Sequence, residues 1–307
     1  MQSWRLLLTT FLAAVFASPS LSQDSPRPDQ SETQQDVVTF DKDSVLVRGE
    51  RMMLFSGEFH PFRLPVAGLW LDVFQKIKAM GFNTASFYVD WGLVEGTPGI
   101  VRLDGIFSLG TFFEAASTAG IYLVARPGPY INAETAAGGF PGWTLKINCT
   151  LRSTCPEYLD STEKYMATVG KAVAAAQITN GGPVILVQPE NEYSSWPDLT
   201  SGLERYQNHT FPSEMNMRYM AFVEQQLRDQ GIAVPLINND NYVMGNNAPD
   251  SGVGAIDIYA IDAYPLRYDC KEQSVAYPCK LICYACIALG FFLANLRRQK
   301  SAASTFC

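Results

Sequence analysis

Residues 181–193, which read GGPVILVQPENEY, join a strand-like apolar run to two carboxylates and constrain the fold more than any other stretch of the chain. The glycine pair and the proline end the preceding helical pattern, and the run 184–187 has the length of a fully buried strand. Glu190 and Glu192 follow at once. Because an ionised carboxylate is costly to bury without a partner, we expect a functional site at this strand end. The alternative is that both carboxylates cap the next helix or pair with arginines.

Strand-like and helix-like segments alternate along the chain. Short apolar runs predict strands, and apolar residues three and four positions apart predict helices. The predicted strands are a hairpin of 45–47 and 52–55, a first core strand ending at 57–60, and then 84–89, 121–125, 184–187, 234–238 and 255–259. The predicted helices are 69–80, 109–119, a helix to 177 with Asp160 as N-cap and Glu163 completing a capping box, and 213–230.

This alternation is typical of parallel βαβ units and leaves two architectures open. A doubly wound sheet calls for a glycine-rich phosphate loop after its first strand, and residues 57–60 read GEFH instead. A (β/α) barrel collects polar side chains at the ends of many strands. Such residues follow most of the predicted strands, among them Tyr88, Arg126 and Asp240. The pattern therefore favours a barrel.

One predicted loop, residues 127–143, is long and rich in glycine and aromatic residues. Loops of this length are uncommon in a compact domain unless they bind something. We therefore expect it to contribute to the site.

The stretch 181–193 closely resembles the signature of the family-35 glycoside hydrolases, the β-galactosidases, and the resemblance extends over roughly residues 40–278. It implies the α/β class and a (β/α)8 TIM barrel that is incomplete, with about six of eight β/α units in this chain. The activity it implies is retaining hydrolysis of terminal non-reducing β-D-galactose residues. It makes Glu192 the proton donor and places Asn191 on the sugar beside the scissile bond.

The same resemblance assigns further sugar-binding residues, which are Tyr88, Asn132, Ala133, Glu134 and Tyr264. Other interpretations stay open for two of them. Tyr88 could pack inside the barrel, and Glu134 could stabilise its own loop.

To act as an acid, Glu192 must hold its proton at working pH, so its pKa must lie above the ordinary value of about 4.3. Burial or a second nearby carboxylate would raise that pKa. Glu190 is interpreted as a structural carboxylate that orients Glu192 or its neighbours. Alternation alone cannot separate their roles, since residues two apart on a strand face the same way.

The second catalytic carboxylate is missing from the sequence pattern. In the family the nucleophile is a glutamate in a Glu-Phe-Gln-Gly-Gly-like context on a later strand, and no such motif occurs in this chain. We therefore expect little or no hydrolysis, with Asp262, Glu134 and Glu58 as candidate substitutes if turnover is found. The alternative to a β-galactosidase catalytic domain is a non-catalytic remnant that binds galactosides.

The composition of the chain indicates which classes of ligand it can bind. A net charge of −7 with no basic cluster before the last residues argues against nucleic acid and suits a neutral carbohydrate. The only histidines, His60 and His209, exclude a His-rich zinc site and argue against a Ser-His-Asp triad. We expect no metal and no cofactor. The remaining possibility for catalysis is chemistry carried out by carboxylate side chains.

The N-terminal region and the sequons indicate export. Residues 1–22 have the layout of a secretory signal peptide, and residues 23–36 that of a flexible leader. Asn148 and Asn208 lie in N-glycosylation sequons. The seven cysteines predict disulfides with at least one thiol left over. These features predict a secreted, extracellular glycoprotein.

The resemblance ends near residue 278, so the predicted partial catalytic domain is 37–278 and the remainder, 279–307, is a separate apolar and basic tail. The apolar run 281–296 is short for a membrane span, which needs about 20 residues. A membrane tether and a helix that fills in for missing barrel elements are the alternatives. We expect an aberrant tail, such as translated intron or frame-shifted sequence.

Overall fold

The computed structural model describes residues 35–193, 217–240 and 247–262. Within these ranges the strands are β1 (Val38–Phe40), β2 (Val45–Val47), β3 (Glu50–Met52), β4 (Ser56–Glu58), β5 (Thr84–Tyr88), β6 (Tyr122–Gly128) and β7 (Val184–Pro189). The helices are α1 (Trp70–Ala79), α2 (Trp91–Val94), α3 (Leu109–Ala119), α4 (Pro156–Ala175) and α5 (Met217–Asp229). Most of the predicted elements are therefore confirmed, and α3 has its predicted bounds.

The main sheet is parallel, and its strands lie in the order β4-β5-β6-β7, each beside its successor in the chain. Single parallel bridges continue this order beyond β7, and they join Val187 to Leu236, Ile237 to Ile258, and Asp240 to Ile261. A doubly wound sheet would reverse direction at a switch point, whereas a barrel wall adds strands in sequence order. The predicted barrel fold is confirmed, with six successive strand positions in the described residues.

A small antiparallel sheet, β1-β2-β3, precedes the barrel strands. The strand β2 was predicted, but its hairpin partner is β3, and residues 53–55 are not a strand. The side chain of Asn83 is the reason. It accepts a hydrogen bond from the Phe55 amide at 2.9 Å and donates to the Met53 carbonyl at 2.8 Å, which occupies groups that a strand ladder would use.

Helix α4 begins four residues before Asp160, so the prediction of Asp160 as its N-cap was wrong. Its N-cap is Cys155, and Pro156 is the first helical residue. Proline suits that position because its fixed φ is already helical and its missing N–H is not needed there. Glu157 adds a negative charge in the first turn, where the helix dipole favours it.

The predicted strands 234–238 and 255–259 make single bridges in place of continuous ladders. Side chains take over several of their backbone hydrogen bonds. Gln177 accepts from Ala233 and Val234, Asp257 from Leu236, and Asn238 from Ala260, at 2.7 to 3.4 Å. These segments therefore keep the strand positions of a barrel wall without regular pairing.

Aromatic packing holds the first helices onto the sheet. Phe112 of α3 lies 4.9 Å from Phe74 of α1 and 5.1 Å from Phe87 of β5, between ring centroids. Trp70 contacts the same ring edge-on at 5.5 Å. All four side chains are fully buried, so this cluster fixes the strand ends that carry the candidate site.

Several predictions from the sequence fall outside the described residues. They are the signal peptide, nearly all of the leader, Asn208, Tyr264 and the tail 279–307. Within the described ranges, no helix combines the length and the hydropathy needed to cross a bilayer.

We predict that Tyr165→Phe lowers the free energy of unfolding by about 1 to 2 kcal/mol. The fully buried Tyr165 hydroxyl lies 2.7 Å from the Pro127 carbonyl and 3.1 Å from the Val89 carbonyl, so it joins the ends of β5 and β6. Urea denaturation followed by tryptophan fluorescence measures the effect. Tyr122→Phe is the matched control, because the half-buried Tyr122 side chain makes no hydrogen bond with the described residues. Equal effects of the two substitutions would contradict the prediction.

Candidate active site

The chain leaves the strand conformation directly after β7. Glu190 and Glu192 have φ angles of 59° and 45°, in the left-handed region that residues other than glycine rarely occupy. The expectation that their side chains face the same way does not apply, because it assumes a continuous strand. Glu190 is buried and Glu192 is half-buried. Such strained backbone is concentrated at functional sites.

Asn191 lies between the two carboxylates and is the meeting point of three strand ends. Its Oδ1 accepts hydrogen bonds from the Tyr88 hydroxyl at 2.8 Å, from Arg126 Nη2 at 2.8 Å and from Asn239 Nδ2 at 2.9 Å. Only 3% of the residue is exposed. With Oδ1 occupied in this way, the Nδ2 group of Asn191 has no acceptor among the described residues.

Glu192 is held through its backbone, since its amide donates to Asn239 Oδ1 at 2.8 Å. Its carboxyl group has no hydrogen-bond partner among the described residues. Burial, followed by the negative charge of Asp262, raises the pKa of the Glu192 carboxyl from 4.5 to about 7. Asn239 Nδ2 also lies 3.4 Å from Asp262 Oδ2, so this amide joins the two acidic residues. A carboxyl group with this pKa can hold a proton near neutral pH and release it.

In contrast to Glu192, Glu190 has hydrogen-bond partners on both carboxylate oxygens. Its Oε2 accepts from Arg152 Nε at 2.9 Å and from Arg152 Nη2 at 2.6 Å, and its Oε1 accepts from the Tyr219 hydroxyl. Both charged side chains of this pair are almost completely buried. This arrangement is that of a structural carboxylate, because a buried Arg fork satisfies its oxygens.

Tyr88 stands at the end of β5 among charged groups. The Arg126 guanidinium lies 3.9 Å from the centre of its ring, and Arg126 Nη1 donates to Glu58 Oε1 at 2.7 Å. Ser86 donates to the same oxygen at 3.2 Å. Burial raises the pKa of Tyr88, so its hydroxyl stays protonated and donates to Asn191.

His60 lies beside Tyr88 and accepts a hydrogen bond from the Tyr88 amide on Nδ1 at 3.1 Å. Burial, followed by the positive charges of Arg126 and Arg63, lowers the pKa of His60 to about 4. The imidazole is therefore neutral near pH 7 and supports the backbone of β5 as an acceptor.

Residues 132–134 form a second strained segment. Asn132, Ala133 and Glu134 have φ angles of 55°, 48° and 48°. Arg63 holds the segment by donating to the Ala133 carbonyl, and its Nη2 lies 3.8 Å from Glu134 Oε2. Ala133 packs in one small apolar cluster with Tyr88. The segment thus borders the Tyr88 side of the site, with the Glu134 side chain 80% exposed.

The structure brings most of the predicted site residues together. Tyr88, Asn191 and Glu192 share one hydrogen-bonded network, and residues 132–134 lie at its edge. Asn148 is exposed, as a glycosylation acceptor must be. Within the described residues, no group of three or more histidine, cysteine or acidic side chains could hold a metal ion.

Three members of the network had no predicted role. Arg126 and Asn239 follow predicted strands, so their position at strand ends was a usable signal. Arg152 lies in a loop before α4 and carries no such signal, because its partner Glu190 is 38 residues away in the chain.

Comparisons with known proteins point to one family. The family described as Glycosyl hydrolases family 35 matches residues 44–277. Probable beta-galactosidase E of Aspergillus fumigatus is 58% identical over 273 residues, which are 88% of this chain and 26% of that protein. The beta-galactosidase of Aspergillus niger is 57% identical over 248 residues, 81% of this chain and 24% of that protein. The chain spans about a quarter of the length of these curated relatives.

Among solved structures, the exo-beta-1,4-mannosidase Op5Man5 from Opitutaceae bacterium strain TAV5 matches with a TM-score of 0.53 at 14% identity. The match covers 71% of this chain and 39% of that one. At this identity the likeness concerns the fold alone.

We predict that Asp262→Asn lowers the pKa of the Glu192 carboxyl, since it removes the neighbouring negative charge that helps to raise it. The measurement is a 13C NMR titration of glutamate carboxyl groups, with Glu192→Gln identifying the resonance. Glu134→Gln is the control and should lower the midpoint less, because the charge of Glu134 contributes less to the shift. An unchanged midpoint in Asp262→Asn would show that the two groups do not interact.

We also predict that Glu192 makes the stability of the folded chain fall as pH rises from 4.5 to about 7. In this window the folded state keeps a proton on Glu192 that the unfolded state has released, so rising pH favours unfolding. Glu192→Gln should remove this part of the pH dependence. The test is the free energy of unfolding of both proteins across the window, and parallel curves would refute the prediction.

Proposed function

Because the chain belongs to glycosyl hydrolase family 35, we propose that it binds a terminal β-D-galactose residue and that Glu192 is the acid/base group of a retaining β-galactosidase. The observation that carries the proposal is the environment of Glu192. Its carboxyl group has a raised pKa and lies one residue from an amide on which three strand ends converge.

In this proposal each group at the site acts directly on the sugar. Glu192 protonates the glycosidic oxygen as a second carboxylate displaces the leaving group at the anomeric carbon. It later deprotonates the water that displaces this carboxylate from the covalent glycosyl intermediate. Asn191 donates through Nδ2 to a sugar hydroxyl beside the scissile bond. Tyr88 and residues 132–134 line the rest of the galactose site, with Tyr264 as a further binding residue outside the described ranges.

The nucleophile is not assigned. The sequence lacks the family's Glu-Phe-Gln-Gly-Gly-like motif, and this observation favours a second candidate function, galactoside binding without turnover. The negative charge of Asp262 helps to raise the pKa of Glu192, so Asp262 is the first substitute nucleophile to test.

The domain organisation and the compartment are also proposed. Residues 1–22 are a signal peptide, 23–36 a leader, 37–278 part of a catalytic barrel domain and 279–307 an aberrant tail. Secretion is supported by the disulfide between Cys149 and Cys155, since disulfides persist in oxidising compartments. The proposed glycan acceptors are Asn148, which is exposed, and Asn208, which lies outside the described residues.

We predict that the purified chain binds methyl β-D-thiogalactoside, a galactoside that cannot be hydrolysed, and hydrolyses p-nitrophenyl β-D-galactoside little or not at all. Calorimetry measures the first and release of p-nitrophenol the second. The matched glucosides are the controls for sugar identity. If the chain binds galactosides no better than glucosides, the proposed site is wrong.

Turnover itself separates the two candidate functions. If hydrolysis is found, Glu192→Gln should lower it by a factor of about 10² to 10⁴, because the general acid is lost. Such a result rejects the non-catalytic function, and Asp262→Asn then tests the substitute nucleophile. Turnover that is insensitive to Glu192→Gln would reject Glu192 as the acid.

A further inference from the structure

A short loop closed by the disulfide between Cys149 and Cys155 precedes α4 and presents Arg152 to the candidate site. Arg152 has a φ angle of 56°, which a side-chain-bearing residue adopts only when its surroundings require it. Its side chain is 5% exposed, although both cysteines of the loop are half-buried. The loop therefore directs a charged group inward.

Arg152 holds the segment 190–193 through several contacts at once. Its Nη2 lies 2.6 Å from both Glu190 Oε2 and the Asn191 carbonyl. Its guanidinium lies 4.1 Å from the ring centre of Tyr130 and 5.1 Å from that of Tyr193. The Tyr193 hydroxyl in turn donates to the Arg152 carbonyl at 2.9 Å. The loop thus contacts the residues on both sides of Glu192.

Glu192 itself is strained and has few contacts of its own. Asn239 holds its amide, and its carboxyl group has no hydrogen-bond partner in the described residues. A left-handed backbone at Glu190 and Glu192 persists only if neighbouring groups over-determine it. Arg152 supplies such a constraint on the residues before and after Glu192, and Asn239 supplies one on the Glu192 amide itself.

A buried ion pair is weak support for stability, because desolvating the two charges offsets most of their attraction. The planar guanidinium is nevertheless suited to fix a position, since it bonds and stacks in one geometry. The contacts of Arg152 match that role.

We propose that Arg152 is a positioning residue, which sets the place of Glu192 by fixing residues 190–193, and that the Cys149–Cys155 disulfide keeps Arg152 in place. The inference rests on the proposed function for the meaning of Glu192 as an acid. The chain contains a matched comparison. Arg228 is another partly buried arginine with an acidic partner, Asp257, at 2.6 Å, and its hydrogen bonds to Ile232 and Val234 place it at the other ends of the strands.

The test compares Arg152→Lys with Arg228→Lys, and adds the double variant Cys149→Ser/Cys155→Ser. Lysine keeps the charge and loses the planar fork and the stacking, so a purely electrostatic role would be rescued. We expect Arg152→Lys to weaken binding of methyl β-D-thiogalactoside by about tenfold or more and to shift the NMR titration midpoint of Glu192. Arg228→Lys should lower the melting temperature and leave both readouts unchanged. The double serine variant should shift both readouts in the same direction as Arg152→Lys, by less.

The proposal is overturned if Arg152→Lys matches the wild type in both readouts, or if the two lysine variants change them equally. Wild-type behaviour of the double serine variant would overturn the role of the disulfide alone. If the unaltered chain does not bind the thiogalactoside, the proposed function fails, and the Glu192 titration still decides whether Arg152 positions that side chain. If Arg152→Lys does not fold, the double serine variant replaces it as the deciding variant, and wild-type values in both of its readouts then overturn the proposal as a whole.

Discussion

The site depends on the convergence of three hydrogen bonds on one oxygen, Asn191 Oδ1. The donors come from the ends of β5 and β6 and from the strand position that follows α5. Each donor therefore depends on the others for its register, because a carbonyl oxygen accepts three bonds only if all approach in a defined geometry. The same arrangement aligns the strand ends of the barrel wall and leaves the Nδ2 group of Asn191 without an acceptor in the described part of the chain.

Glu190 and Glu192 lie two positions apart in the chain, but the groups that surround their carboxylates differ. Glu190 is buried against a guanidinium and two tyrosines in contact with each other, Tyr158 and Tyr219. Among residues 35–193, 217–240 and 247–262, Glu192 has no cation at hydrogen-bond distance, and the negative charge of Asp262 acts on it. The surroundings of Glu192 raise its pKa, by burial first and then by the charge of Asp262. The left-handed backbone at both residues makes this difference in surroundings possible, since a continuous strand would place them on one face.

The sequence predicted the order of elements well, because apolar runs and helical spacing survive in the fold. The helix α3 had its predicted bounds, ended by Gly120 with a φ angle of 68°. Failures occurred where side chains replaced backbone partners, as at Asn83, or where proline chemistry competed with a capping pattern, as at Pro156. Tyr88 and Asn191 could be predicted from strand ends and family resemblance. Arg152 could not, because its role comes from a contact across 38 residues that no local pattern records.

At the last described strand positions, amide and carboxylate side chains supplement the backbone hydrogen bonds between neighbouring segments. Gln177, just after α4, accepts from two backbone amides of the segment that follows α5 and donates to the Gly231 carbonyl. Backbone amides tied in this way exchange their hydrogens when a single side chain moves, whereas amides between β5 and β7 must wait for neighbouring strands to separate. Exchange at the amides of Ala233 and Val234 thus depends on the side chain of Gln177, whereas the amides of Ile237 and Ile258 keep backbone partners in the neighbouring segment.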